Sequence, residues 1–328
     1  MGIKKLVIAS FNMENLDENG SASVANLWPE RIKVMRPMLL RMNADVLLLQ
    51  EVNSPNALSQ LIDNTPYKNF DKVWTLKKDG TPYQRRNLVV MSRWKIQDSS
   101  QYHHAFTDKT MWRKITAQPE EKEADEVSWE RPIQYAKIAL GEGKILHIVN
   151  IHLKSMHPTP IKGQNDRTWY IWDSHSGWAE GFFLSAIKRV GQALETRVLL
   201  DDILDKNAGE ALIVVGGDFN AEIGSVPFKA IVGSVQDTQN PDIRDHVMIP
   251  CEYNVPPQQR YSLFHHGKGN MLDHLVVSQG LFPYWMETYI YNEILPDESL
   301  AYATDKKFPE SDHAPVIAHF QVPDTWIA

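Results

Sequence analysis

Ser311-Asp312-His313-Ala314-Pro315-Val316 puts an acid and an imidazole side by side, after the breaker Pro309 and just ahead of the strand-like run Val316 to Phe320. Both side chains therefore lie at the mouth of a strand, where chemistry is possible. Alone the pair says little, because a loop Asp often caps its own backbone and a loop His is usually solvated. Its weight comes from repetition: at least four other apolar runs also end in a carboxylate, an amide or a histidine.

Ser10-Phe11-Asn12-Met13-Glu14-Asn15 closes the first run with an amide, and Asp45-Val46-Leu47-Leu48-Leu49-Gln50-Glu51-Val52 closes the second with Glu51. A buried Val and Leu run does not end in a bare carboxylate, so Glu51 calls for a hard divalent cation or a salt bridge. Val149-Asn150-Ile151-His152-Leu153-Lys154-Ser155 presents His152 late in a strand, as a core residue or as a reactive one. Val214-Val215-Gly216-Gly217-Asp218-Phe219-Asn220-Ala221 sets an acid and an amide two residues apart, and extended geometry persisting to Asn220 would send both to one side. In Met271-Leu272-Asp273-His274, His274 alternates to the face opposite Asp273.

Around these motifs, short apolar runs alternate with longer amphipathic stretches, which predicts a layered α/β fold. Strands are expected at 5–11, 46–50, 87–92, 133–140, 145–151, 211–216, 271–278 and 316–321; those without polar alternation should be buried on both faces. Helices are expected over Pro29 to Met42 and over Phe182 to Leu204, the second burying Phe183, Ile187, Val190, Leu194, Val198 and Leu204.

Two segments stand apart from this alternation. Gln118 to Glu130 is strongly acidic and reads as a solvated loop. Ser155 to Gly181 is a long insertion carrying Trp169, Tyr170, Trp172, His175 and Trp178, either a local core or a substrate-facing wall.

The 328 residues fit one large α/β or sandwich domain, and 43% hydrophobic with 23% charged residues is ordinary for a globular protein. A net charge of −7 argues against a general basic surface for nucleic acid but not against an enzyme with a local cationic rim. Cys251 is the only cysteine, which excludes an intrachain disulfide and a cysteine-based metal cluster. No run approaches the ~20 apolar residues of a membrane span, so no stable membrane anchor is expected. The early first strand leaves no room for a signal peptide, from which a cytoplasmic location is expected unless a leader has been trimmed.

Taken together, Asn12, Glu51, His152, Asp218, Asn220, Asp273, Asp312 and His313, in this order and these strand contexts, resemble the endonuclease/exonuclease/phosphatase superfamily, the fold of deoxyribonuclease I. The resemblance spans nearly the whole chain. It implies a four-layered sandwich with two packed, mostly antiparallel central sheets and a Mg²⁺- or Mn²⁺-dependent phosphoesterase site at one mouth. Glu51 would be the principal metal ligand, with Asn12 and Asp312 assisting and Asp218 a possible further ligand. His313 would be the general base or a phosphate stabiliser, oriented by Asp273. Asp218 and Asn220 would align the attacking water, and His152 would protonate the leaving oxygen or hydrogen-bond the phosphate.

Such a set makes chemical sense in its own right, since phosphodiester hydrolysis needs an activated water, a neutralised oxygen and a protonated leaving group. Arg86 and Asn87, at the head of a strand resembling one of the family's, and Arg131, Trp169 and Trp172 are the candidate substrate contacts. His103-His104 and His265-His266 are expected in loops, solvated or part of the rim. The function expected is a nuclease acting on DNA or RNA, with a phospholipid or inositol-phosphate phosphoesterase and a non-catalytic binding module as alternatives.

Overall fold

The strand-like runs pair into two six-stranded sheets that pack face to face in the computed structural model, which describes residues 2–19, 27–168, 170–304 and 308–327. The first sheet contains β1 (Ile3–Leu16), β2 (Val46–Val52), β3 (Asp71–Trp74), β4 (Asn87–Ser92), β15 (Trp285–Ile290) and β16 (Val316–Pro323), in the order β15-β16-β1-β2-β4-β3. The second contains β5 (Ile96–Tyr102), β8 (Ile133–Ala139), β9 (Ile145–His152), β10 (Leu212–Asp218), β11 (Ile249–Pro250) and β14 (Asp273–Val277), in the order β11-β14-β10-β9-β8-β5. Each sheet has one parallel pair, β1 with β2 and β10 with β9, and is otherwise antiparallel. Two small hairpins complete the strands, β6 (Thr110–Trp112) with β7 (Asp125–Val127) and β12 (Leu263–His265) with β13 (Lys268–Asn270).

Period-two alternation sorts each strand between two cores. Leu6 and Ile8 of β1 join Val46, Leu48, Ile148, Val214 and Leu275 between the sheets, whereas Val7, Ala9 and Phe11 face outward under helices. There they meet Met35, Leu39 and Met42 of α1 (Trp28–Met42) and Leu58 and Leu61 of α2 (Pro55–Ile62). On the far side Val149, Ile151, Ile213 and Val215 lie under α3 (His175–Lys206) and α4 (Val226–Val232). The four layers are therefore helix, sheet, sheet and helix, in agreement with the expected sandwich.

Inward-facing residues change character toward one end. The apolar layers give way to an amide layer: Gln50 donates to Asn150 Oδ1 at 2.8 Å, and Asn150 Nδ2 donates to Gln134 Oε1 at 3.1 Å and to the carbonyl of Leu49 at 3.1 Å. Two residues further along the strands come Asn12, His152 and Asp218. They share the parity of Ile8, Ile148 and Val214, so the same alternation that builds the core delivers them to the mouth. Close approach of the sheets and strands requires glycine at Gly217, whose φ is 141° and where a Cβ would meet the Ile151 carbonyl oxygen at 1.8 Å.

Three expectations are corrected. The long helix starts at His175, seven residues before Phe182, with Ser174 accepting from the Gly177 N–H at 3.0 Å as its N-cap. It buries a face that only partly overlaps the one anticipated: Leu204 is buried as expected, but Phe183 and Leu194 are 42% and 51% exposed, while Leu184, Leu199, Leu200 and Ile203 point inward with Glu180, Gln192 and Glu195. Apolar periodicity missed this face because its polar members are satisfied by loops. Glu180 accepts from Trp112 Nε1 at 2.8 Å and Glu195 from Trp129 Nε1 at 2.6 Å. The acidic segment, third, is not simply solvated, since Val127 and Trp129 are buried and Glu126 and Glu121 pair with Lys109 and Lys114 at 2.7 and 2.9 Å.

Candidate active site

Glu51 reaches the mouth because β2 stops being a regular strand there. The β1 and β4 registers both slip between Leu49 and Val52, and Glu51 takes a left-handed φ of 56°. A bulge of this kind re-aims one side chain, and the left-handed turn costs ~1–2 kcal/mol in a non-glycine residue. Glu14, Arg86 and Asn220 are left-handed as well, so backbone strain gathers at this end of the sandwich. Asn220 corrects the strand-alternation reading: β10 ends at Asp218, and a left-handed turn, not extension, brings Asn220 Nδ2 to Asp218 Oδ2 at 2.9 Å.

One open cleft is lined by Asn12, Glu51, Arg86, Arg131, His152, Asp218, Asn220, Asp312 and His313. Asp218 is its most heavily bonded member. Its Oδ2 accepts from Asn12 Nδ2 at 3.2 Å and from Asn220 Nδ2, and lies 3.3 Å from His152 Nε2; its Oδ1 accepts from the Asn220 N–H at 2.8 Å. Burial opposes ionisation of Asp218, yet His152, His313 and the Asn220 N–H hold it well below the usual carboxylate range. Burial and the neighbouring Arg131 push His152 below the ordinary imidazole value against the pull of Asp218 and Glu51, which favours its neutral form.

Asp273 stands behind His313, with Oδ2 2.6 Å from Nδ1. Burial works against an imidazolium there, but Asp273, then Asp218 and Asp312, raise His313 well above the ordinary value. The loop carrying His313 is pinned from both sides. Ser311 Oγ donates to the Asn12 carbonyl at 2.8 Å, and the Ala314 N–H to the Ser262 carbonyl at 2.7 Å, while Ser262 Oγ accepts from the Asp273 N–H at 2.9 Å. Asp312 bonds neither Asp273 nor His313 closely, its Oδ1 lying 4.0 Å from His313 Nε2. Sequence adjacency thus does not make it the partner of the imidazole.

Carboxylates crowd the opposite side of the cleft. Burial, then Glu298, Glu51 and Asp218, push Asp312 up to about 7 against the pull of His313, and burial with Asp312 raises Glu14 well above the usual range. Glu51 Oε1 lies 3.7 Å from His152 Nε2 and 4.0 Å from Arg86 Nε. This surplus of negative charge, with hard oxygen donors from Glu51, Asp312 and Asn12, suits an oxygen-preferring divalent cation. Asp218, Asp273 and His313 also bring ligand atoms within 4.8 Å of one another, but the bond between Asp273 and His313 already uses two of them.

Among the candidate substrate contacts, Arg86 and Arg131 line the cleft. Asn87 does not: it is fully buried, donating to the carbonyls of Val52 and Tyr83 and accepting from the Tyr83 N–H, so its amide is spent on holding two loops together. Trp172 packs on a side core of Ala117, Val127, Ile161 and Leu184 and lines a separate cavity with Tyr170, His175 and Trp178. Trp169 lies outside the described residues. Solvation is likewise wrong for His104, whose side chain is 4% exposed and stacks on Trp129 at 4.1 Å. His265 lines the cleft with its Nδ1 2.7 Å from Glu298, and His274 faces away, buried against Glu252 at 2.6 Å. Glu14, Glu298 and the Gln50, Asn150 and Gln134 layer were not anticipated; their only sequence signal is strand parity or proximity to a motif.

A double-sheet α/β sandwich with imidazoles, amides and carboxylates converging at one strand mouth is the architecture of phosphoester-cleaving hydrolases. The chain belongs to the Endonuclease/Exonuclease/phosphatase family, whose sequence profile matches residues 9–313. No curated protein matches it in sequence. Solved structures share the fold at low identity. An endonuclease/exonuclease/phosphatase family protein from Bacteroides thetaiotaomicron is 16% identical, with 98% of this chain and 100% of that one covered and a TM-score of 0.60. A mannosyl-6-phosphatase from the same organism is 15% identical, with 97% and 99% covered and a TM-score of 0.55. The 3′ phosphatase NExo from Neisseria, bound to product DNA hairpin, is 17% identical, with 96% and 99% covered and a TM-score of 0.52. Among the described residues, no helix is long and apolar enough to cross a membrane.

Proposed function

We propose that the protein is a divalent-metal-dependent phosphodiester hydrolase that acts on DNA or RNA. The observation that carries this reading is the meeting of the His313 and Asp273 pair with Glu51, Asn12, Asp312, Asp218 and His152 in a single cleft. Glu51, Asn12 and Asp312 would hold Mg²⁺ or Mn²⁺, which when bound neutralises charge on a phosphoryl oxygen. His313, its Nδ1 fixed by Asp273, keeps Nε2 to take the proton of the attacking water. The ionised Asp218 and the amide of Asn220 orient that water. Held neutral, His152 serves better as a hydrogen-bond donor to the phosphate than as a strong acid.

Met156 and Phe182, 46% and 37% exposed, form an apolar edge of the same cleft. That edge favours a substrate with an apolar part, which supports the phospholipid side of the second reading, a phospholipid or inositol-phosphate phosphoesterase. Incubation with plasmid, single-stranded DNA, RNA, sphingomyelin and inositol phosphates, with Mg²⁺, Mn²⁺ or EDTA, tests both. Metal-dependent cleavage of nucleic acid is expected; activity confined to the lipid or inositol substrates would reverse the order, and no turnover on the whole panel would remove the enzyme reading.

A further inference from the structure

Four cations converge on one carboxylate, and two of them, Arg86 and Arg131, line the cleft. Glu130 lies 3.7 Å from Arg86 Nη1, 3.7 Å from Arg131 Nη1, 3.8 Å from Lys154 Nζ and 3.7 Å from Lys188 Nζ. Four positive groups against one negative leave three positive charges unbalanced, where Arg131 and Lys154 are buried. Arg86 also faces Glu51, which in the reading above is committed to the metal.

Arg131 shows where an anion is wanted. Its Nε and Nη2 donate to the carbonyls of His152 and Leu153 at 2.9 and 2.8 Å, whereas Nη1 is buried without a hydrogen-bond acceptor. An unsatisfied buried donor costs ~1–3 kcal/mol, more for a charged group. A guanidinium fixed by two carbonyls with one nitrogen left over suits an anionic oxygen. Lys154 Nζ, also buried, donates to Ser155 Oγ at 2.9 Å and to the His157 carbonyl at 3.2 Å, and burial, with Arg131, Lys188 and Arg86 acting against the pull of Glu130, pushes it down to about 8.

We propose that Arg131, Arg86, Lys154 and Lys188, gathered round Glu130, form a second oxyanion subsite beside the reacting centre, which holds a phosphate of the substrate next to the one that is cleaved. The inference rests on the phosphodiesterase reading and narrows it. It assigns a substrate with neighbouring phosphates, such as a nucleic-acid strand, over a single-phosphate ester with a cationic headgroup, which three positive charges repel. Glu130 offsets enough charge for the cluster to fold without a ligand.

Two measurements decide the matter. Calorimetric titration of the metal-free protein in EDTA with inorganic phosphate needs no turnover: binding is expected, at least tenfold weaker in Lys154→Met/Lys188→Met and tighter in Glu130→Gln. Lys188→Met alone, at a partly exposed position, carries this arm if the double variant does not fold. With Mg²⁺, the dinucleotide TpT is compared with pTpT and TpTp. A terminal phosphate at one end is expected to raise kcat/KM at least tenfold, an advantage lost in the lysine variants. Equal phosphate binding by wild type and variants, or no gain from a phosphate at either end, overturns the proposal. Failure to cleave any dinucleotide counts against the phosphodiesterase reading instead, and phosphate binding still decides the subsite.

Discussion

Asn12 Nδ2 donates to Asp218 Oδ2 across 3.2 Å, joining β1 of the first sheet to β10 of the second at the mouth of the sandwich. These residues are 206 positions apart; Asp218 is the last residue of its strand, and Asn12 is followed in β1 by Glu14, which lines the same cleft. The candidate site is therefore a seam between sheets. Its geometry depends on the packing that holds them in register, and each prediction below separates chemistry from that packing.

Replacing Asp273 with Asn should move the acidic limb of the pH–rate profile. His313 must be unprotonated to accept a proton, and its raised pKa places the onset of activity above the ordinary imidazole range. Losing the Asp273 charge lowers that pKa, so the limb shifts to lower pH while kcat falls about 10²-fold or more as ring orientation is lost. An unshifted limb would show that Asp273 does not govern His313.

Glu51→Gln should act through the metal. With one charge removed from the cleft, the Mg²⁺ concentration for half-maximal activity is expected to rise at least about tenfold, with partial rescue at high metal. His313→Ala and Asp218→Ala should instead abolish turnover at every metal concentration while circular dichroism stays unchanged. A flat metal dependence in Glu51→Gln would remove the ligand assignment.

Acid stability should report His147, which lies outside the site. Tyr135 Oη sits 2.6 Å from its Nδ1, and burial, with some repulsion from Lys137, lowers His147 to about 4. A folded pKa depressed below the unfolded value of about 6.5 gives stability that is present above pH ~6.5 and lost as pH falls toward 4, at most about 3 kcal/mol. Urea midpoints measured across that window should fall more steeply for wild type than for His147→Gln. Parallel slopes would contradict the assignment.

The amide layer should matter for folding more than for binding. Asn150→Ala leaves Gln50 and Gln134 without their shared partner in a buried setting, a loss of about 2–4 kcal/mol by the cost of stranded polar groups. Asn87→Ala should likewise destabilise the protein and leave KM alone, since its amide never reaches the cleft. A large KM change with full stability would return Asn87 to the substrate contacts.

The sequence by itself determined the alternation of strands and helices, the double-sheet architecture and the membership of Asn12, Glu51, His152, Asp218, Asn220, Asp273, Asp312 and His313 in one motif set. The alternation is legible because a side-chain period of two and a run of apolar residues are local properties of the chain, whereas the double sheet and the motif set were legible only through the resemblance that those residues carry to the endonuclease/exonuclease/phosphatase family. Tertiary structure brings together charges that lie far apart in the chain. Asp273, forty residues away, holds His313, while adjacent Asp312 faces the carboxylates of the cleft. It also decided that α3 buries Glu180 and Glu195 in place of the apolar stripe, and that Glu130 gathers four cations. Partners for buried polar groups come from other elements, so no local pattern encodes them.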